Sequence, residues 1–377
     1  MRNIFNVISI VIFATILPFS LLSCEKEAWK PGTPLPKDKV KVGVIHITDP
    51  FSESSGYSYA HQKGIEEMKN SLGLADSQVI YKIHIDDADL ISVENAHREL
   101  VAQGANIIFS TSWGYMDICE KLSQEFPSVV FAHASGYKSN KTNFTNYFGR
   151  VYQARYLAGI VAGLKTKTNK IGFGAAQGKE NSEVTGGLDA FALGVEKVNP
   201  KARIYVKVTH SWFDPMGEAF AARALITEGS DVIAQHCDTP TPMIEAEKVG
   251  VWGIGYNTDM SADAENAVLT SVIWHWSSYY TALVQSVIDG SFTTAPWFGS
   301  LKDRIVDLVP LNPKIPLKEE TARILEEERK RIESGTYDVF YGVMKTNDGK
   351  TIGTEGKNLT DEEIRSDINW YYHTVVE

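Results

Sequence analysis

The chain has 377 residues, with 47 acidic against 37 basic side chains and a formal net charge of −10. That is more chain than one hydrophobic core usually holds, so two lobes are expected. An acidic balance without a basic stripe argues against nucleic-acid binding. With only Cys24, Cys119 and Cys237 present, a disulfide framework is not supported.

The N-terminus reads as an address. Arg2 precedes an apolar run over 4–22 that Asn6, Thr15, Pro18 and Ser20 interrupt, and the run ends in Leu21-Leu22-Ser23-Cys24. A hydrophobic pair, a small residue and a cysteine are what a bacterial lipoprotein signal requires. Residues 1–23 are therefore expected to be a signal peptide and Cys24 the lipidated residue, holding the protein at the outer face of a membrane. The stretch 24–39 is charged, carries Pro31, Pro34 and Pro36, and is expected to be an extended tether.

The body alternates strands and helices. Strands are expected at 41–47, 78–85, 106–110 and 129–132, with helices at 59–72, 92–103 and 116–125 between them. This is the signature of a doubly wound parallel sheet. The pattern then restarts. Helices are expected at 155–165, 188–198, 217–228 and 242–249, and strands at 170–174, 203–208, 231–234, 252–255 and 267–273. A helix at 279–288 and a strand at 304–309 are expected to return to the first lobe, followed by a charged helix at 318–333 and a hairpin over 338–350. The fold class is α/β, with two Rossmann-like lobes and a ligand cleft at the hinge. The expected first lobe is 40–148 plus about 274–312, and the second is 149–273 plus about 313–377. In such lobes ligands bind at the carboxyl ends of the strands.

Catalytic constellations are hard to find. There is no Gly-x-Ser-x-Gly elbow, no phosphate loop and no His-Glu-x-x-His motif, and the glycines at Gly172 and Gly174 lack the third member of a dinucleotide fingerprint. His236-Cys237-Asp238 has no second ligand cluster at metal-site spacing. Neither a cofactor nor a metal is expected, and no enzymatic activity. What stands out is aromatic residues beside acids at strand ends: Tyr57 after the first strand, Trp113 with Asp117, Trp212 with Asp214, and His236 with Asp238. Large rings on polar loops either cover a core edge or receive a flat ligand. Carboxylates only accept hydrogen bonds, which suits a ligand rich in N–H donors. A nucleobase has both properties.

Several segments in order resemble the basic membrane protein family of ABC-transporter lipoproteins, which includes purine nucleoside receptors. They are Trp113-Gly-Tyr-Met-Asp117, Arg155-Tyr-Leu-Ala-Gly159, Lys170-Ile-Gly-Phe173, Trp212-Phe-Asp-Pro215, Ile254-Gly-Tyr-Asn-Thr-Asp259 and Val268-Leu-Thr-Ser271. The resemblance implies a type I periplasmic-binding fold without catalysis, and partnership with an ABC permease and ATPase. It places the two base-stacking rings at Tyr57 and Trp212 and implies ligand-binding acids at Asp117 and Asp259. The chain departs from the nucleoside receptors at His133-Ala-Ser-Gly136, which lacks their acid, and at Trp274, where a lysine is expected. Trp274 and Trp276, with Gln235-His-Cys-Asp238, are similar to adenine-binding members. The expected ligand is a purine, an adenine-like base or its nucleoside. The rival expectation is a surface sensor or adhesion lipoprotein of the same fold.

Overall fold

The computed structural model describes residues 28–377, so the expected signal peptide and Cys24 lie outside the described residues. Two parallel sheets organise the chain. The first carries β1 (Val42–Ile45), β2 (Val79–Lys82), β3 (Ile107–Ser110), β4 (Val130–Ala134) and β5 (Phe144–Gly149), with helices α1 (Tyr57–Leu72), α2 (Leu90–Ala102) and α3 (Met116–Glu125). The second is built from α4 (Val151–Lys165), β6 (Lys170–Ala175), α5 (Ser182–Val198), β7 (Arg203–Val208), α6 (Pro215–Thr227), β8 (Val232–His236), α7 (Thr241–Lys248), β9 (Trp252–Asn257) and β10 (Val268–Trp274). The chain then adds α8 (Ser277–Asp289), β11 (Trp297–Gly299), β12 (Val306–Leu308), α9 (Glu320–Glu333), the hairpin β13 (Tyr341–Lys345) and β14 (Thr351–Asn358), and β15 (Val375–Val376).

The sheet orders are β11-β5-β4-β3-β1-β2 and β12-β10-β9-β8-β6-β7-β15. In each, the lobe's first strand sits inside the sheet with its successor on one side and the next strands on the other, and β15 extends the second sheet beyond β7. The loops leaving the strand ends on either side of that reversal flank a crevice. The chain passes between sheets after β5, after β10 and after β11. Three strands of chain at one edge make the hinge of a two-lobed clamp.

The four central strands β1, β3, β4 and β8 are buried along their whole length, as parallel strands covered on both faces must be. Helix α4 is buried at every residue but the last, which its Ala/Gly-rich sequence permits. It meets α5 closely: a Cβ on Gly159 would stand 2.1 Å from the Phe191 carbonyl, and one on Gly194 2.0 Å from that of Tyr156. Only hydrogen fits at this crossing.

Three expectations need correction. The strand expected at 304–309 to return to the first lobe instead forms β12, antiparallel to β10 in the second sheet. The strand that does return is β11, which pairs with β5; neither was anticipated. β5 carries Thr145 and Asn146, polar residues that weaken a strand signal. Both are buried and are satisfied by the Ala295 and Lys138 carbonyls, at 3.2 and 3.0 Å. The expected tether docks at its described end rather than running free: Leu35 is buried, and its N–H donates to the Val287 carbonyl at 3.2 Å.

Candidate functional site

A narrow cavity lies between the lobes. The first lobe lines it with Ile47, Tyr57, Ser112, Trp113 and Ser135, and the second with Glu183, Trp212, His236, Asp238 and Tyr256. Nearly all these residues stand at or just past the carboxyl end of a strand, and Tyr57 opens α1. The lobes touch beside the cavity. Gly56 N–H donates to Thr258 Oγ1 at 3.2 Å, and a Cβ on Gly56 would lie 2.3 Å from the Asp238 carbonyl oxygen. With φ at 101°, Gly56 also holds a backbone conformation that only glycine adopts easily. The clamp is closed.

The second-lobe wall is a polar cluster with one cation. Arg155, fully buried in α4, donates from Nη1 to the Gln235 carbonyl at 2.6 Å, and its guanidinium lies 3.8 Å from the centre of the Tyr256 ring. Burial lowers its pKa to about 10, so it stays charged at neutral pH. The Tyr256 hydroxyl and His236 Nε2 are 3.1 Å apart, and Glu183 stands 3.5 Å from the same nitrogen. Burial, reinforced by Arg155, drops His236 well below its usual range and leaves it neutral. Asp238 is pushed well above the carboxylate range by burial and then by Glu218 and Glu183. Its amide is fixed to the Trp212 carbonyl at 3.0 Å, so acid and indole move as one unit. Behind it, Glu218 is raised to about 7 by burial and accepts from Thr239 Oγ1 at 2.6 Å. In the ligand-free closed form the cluster therefore holds its carboxyls toward the protonated state, which can donate as well as accept, with its positive charge stacked under a ring.

Burial raises the Glu183 pKa from 4.5 to about 8, against the opposing pull of Arg155. The sign follows from linkage: stability is full below the ordinary value of 4.5 and is lost as pH rises to about 8. Glu183→Gln is accordingly expected to stabilise the ligand-free protein at pH 8 by about 2 kcal/mol, at ~1.4 kcal/mol per unit with a discount for residual water contact. At pH 4.5 the variant should match wild type. Thermal unfolding at both pH values checks this, and equal effects at the two would refute the ionisation argument.

Of the residues expected from sequence, Tyr57, Trp113, Trp212, His236 and Asp238 come together here. Asp117, Asp259, Trp274 and Trp276 do not line this cavity. Asp117 lies on the outward face of α3, exposed and paired with Lys138 at 2.9 Å. Asp259 is exposed and caps the short turn after β9 by accepting from Ser261 N–H at 2.9 Å. Trp274 and Trp276 are buried in a ring stack, 4.4 Å apart, and Trp276 lies 4.1 Å from His61. Tyr57 meets His61 edge-on at 4.4 Å, so the tryptophans support a cavity ring from behind. Trp274 Nε1 is occupied by Asn257 Oδ1 at 3.1 Å. Sequence reasoning missed Glu183 and Tyr256. Glu183 reads as an ordinary first-turn acid after the cap Asn181, and Tyr256 as a strand interior. Position at a strand's carboxyl end was the available signal for Tyr256, whereas Glu183 stands in the first turn of α5, past the loop that leaves β6. Among the described residues no group of three or more His, Cys, Asp or Glu is placed to hold a metal.

Residues 39–338 match the family model described as ABC transporter substrate-binding protein, PnrA-like. A purine-binding protein of Brucella abortus is 32% identical over 335 residues, covering 89% of this chain and 92% of its own. A Haloferax volcanii protein named for ABC-transporter glucose binding is 32% identical over 285 residues, 75% of this chain and 70% of that one. The solute-binding protein of an ABC transporter from Conexibacter woesei superposes with a TM-score of 0.65 at 21% identity, covering 79% of this chain and 98% of that chain, a likeness of fold. These are binding proteins rather than enzymes, and no described helix is long and apolar enough to cross a membrane. The chain belongs to the family of PnrA-like substrate-binding proteins of ABC transporters.

Proposed function

We propose that this protein binds a purine base, adenine or a close relative, and delivers it to an ABC permease while anchored through lipid on Cys24. The observation that carries the reading is the cavity wall: four rings, Tyr57, Trp113, Trp212 and Tyr256, beside the carboxyls of Glu183 and Asp238. Base–aromatic stacking is worth ~1–3 kcal/mol per ring in other base-binding sites, and the acids accept from an exocyclic amine or ring N–H. The purine-binding relative supports the same ligand class. The family description names ABC transport, which favours delivery to a permease over a free-standing sensor of the same fold.

A base is favoured over its nucleoside. A ribose brings three hydroxyls into a closed cleft, and each left unpaired costs about 1–3 kcal/mol. Where the resemblance implies a lysine for the sugar, Trp274 stands, already stacked on Trp276 and bonded to Asn257. Adenine is therefore expected to outcompete adenosine by at least about ten-fold, read from tryptophan fluorescence, with glucose as a third ligand. Tighter binding of adenosine would overturn base selectivity, and binding of glucose alone would overturn the purine reading.

The anchor rests on Leu21-Leu22-Ser23-Cys24. Expressed in a bacterial host, the wild type is expected in the membrane fraction and Cys24→Ser in the aqueous one. Equal aqueous partition of both would refute lipidation.

A further inference from the structure

A second cavity adjoins the first and shares Trp113, Ser135 and Glu183 with it. It runs from the proposed base site toward the hinge. Its walls are Phe148, Val151, Tyr152, Phe298 and Ile364, drawn from both lobes, the hinge and the C-terminal tail. Both lobes thus bound the space.

Polar groups along this wall are largely engaged within the protein. Ser182 Oγ donates to the Arg365 carbonyl at 2.9 Å, and Ser135 Oγ to the Ala134 carbonyl at 2.5 Å. The Tyr152 hydroxyl donates to Asp338 at 2.7 Å, away from the cavity. Arg365 Nη2 donates to Asn146 Oδ1 at 2.6 Å and to the Gly136 carbonyl, and its guanidinium sits 5.3 Å from the Phe298 ring centre. An entering hydroxyl would meet mostly carbon, whereas an apolar group would gain burial against the same carbon-rich wall.

Resting on the purine reading above, we infer that the preferred ligand is a purine bearing an apolar substituent, which occupies this second cavity while the ring sits between Tyr57 and Trp212. The substituent adds contact with both lobes, so it strengthens closure as well as contact. Glu183, at the boundary, accepts from an N–H at the junction.

The test compares adenine, N6-benzyladenine, 9-benzyladenine and adenosine by titration calorimetry on the mature protein. The two benzyl compounds cover two points of attachment. At least one is expected to bind ten-fold or more tightly than adenine, the scale set by burying a ring-sized apolar group. Val151→Phe and Ile364→Phe, which narrow the second cavity from different elements, should each shrink that ratio toward one; the pair guards against one variant failing to fold. If adenine binds and neither benzyl compound gains over it, the inference is overturned while the purine reading stands. A gain by adenosine that exceeds both benzyl compounds would also overturn it, by assigning the space to a sugar. Binding of none of the four would remove the purine reading and this inference with it.

Discussion

Asp238→Ala is expected to weaken binding of the purine about 30- to 150-fold, equivalent to ~2–3 kcal/mol, by removing a charged acceptor from a closed site. Asp238 is the residue where burial, ligand access and lobe contact coincide. Its carboxyl lines the cavity, its amide is tied to Trp212, and its carbonyl faces Gly56 of the other lobe. Burial with Glu218 and Glu183 nearby holds its pKa up in the ligand-free closed form. A ligand that donates N–H to it favours the carboxylate and lowers that pKa, so binding near neutral pH should release protons. Asp238→Asn keeps one acceptor oxygen and should lose less than the alanine variant. Titration calorimetry in buffers of different ionisation enthalpy reads both affinity and proton release. Wild-type affinity in the alanine variant would remove Asp238 from the site.

Gly56→Val is expected to cost about 100-fold or more in affinity without removing any side chain proposed to contact ligand. Two effects add. The new Cβ would have to occupy a point 2.3 Å from the Asp238 carbonyl, and a β-branched residue is strained at φ 101°. The clash acts against the closed clamp, where the lobes meet, and the backbone strain adds to it wherever this conformation is kept. Ligand held by one lobe has one stacking face instead of two and stays exposed to water. The variant should fold, and its radius of gyration by X-ray scattering should fail to shrink when purine is added. Normal affinity together with normal compaction would show that closure does not depend on this contact.

Alternation of strand and helix in two successive runs was enough to read two doubly wound lobes, because buried parallel strands such as Val42-Gly-Val-Ile45 and Ile107-Ile-Phe-Ser110 announce themselves as apolar runs. Strand ends followed by aromatics likewise identified Tyr57, Trp113, Trp212, His236 and Asp238 as one constellation, since topology sends all those loops to the same crevice. Tertiary structure decided which neighbours of these residues face inward. Asp117 follows Trp113 by one helical turn, yet it projects outward to Lys138, a matter of helix phase that spacing alone does not settle. Trp274 and Trp276 stand at the end of a buried strand and could have entered the cleft, but Trp274 stacks on Trp276 and Trp276 on His61, which uses their faces instead. β11 and β12 are three residues each, too short to carry periodicity, so which sheet each joins depends on the partner edge it meets. Glu183 gains its raised pKa only through burial in the folded protein, against the pull of Arg155, with His236 packed beside it. Local pattern determines the elements and the ring of loops, because both follow from short-range periodicity; burial and facing direction arise from contacts between residues far apart in the chain.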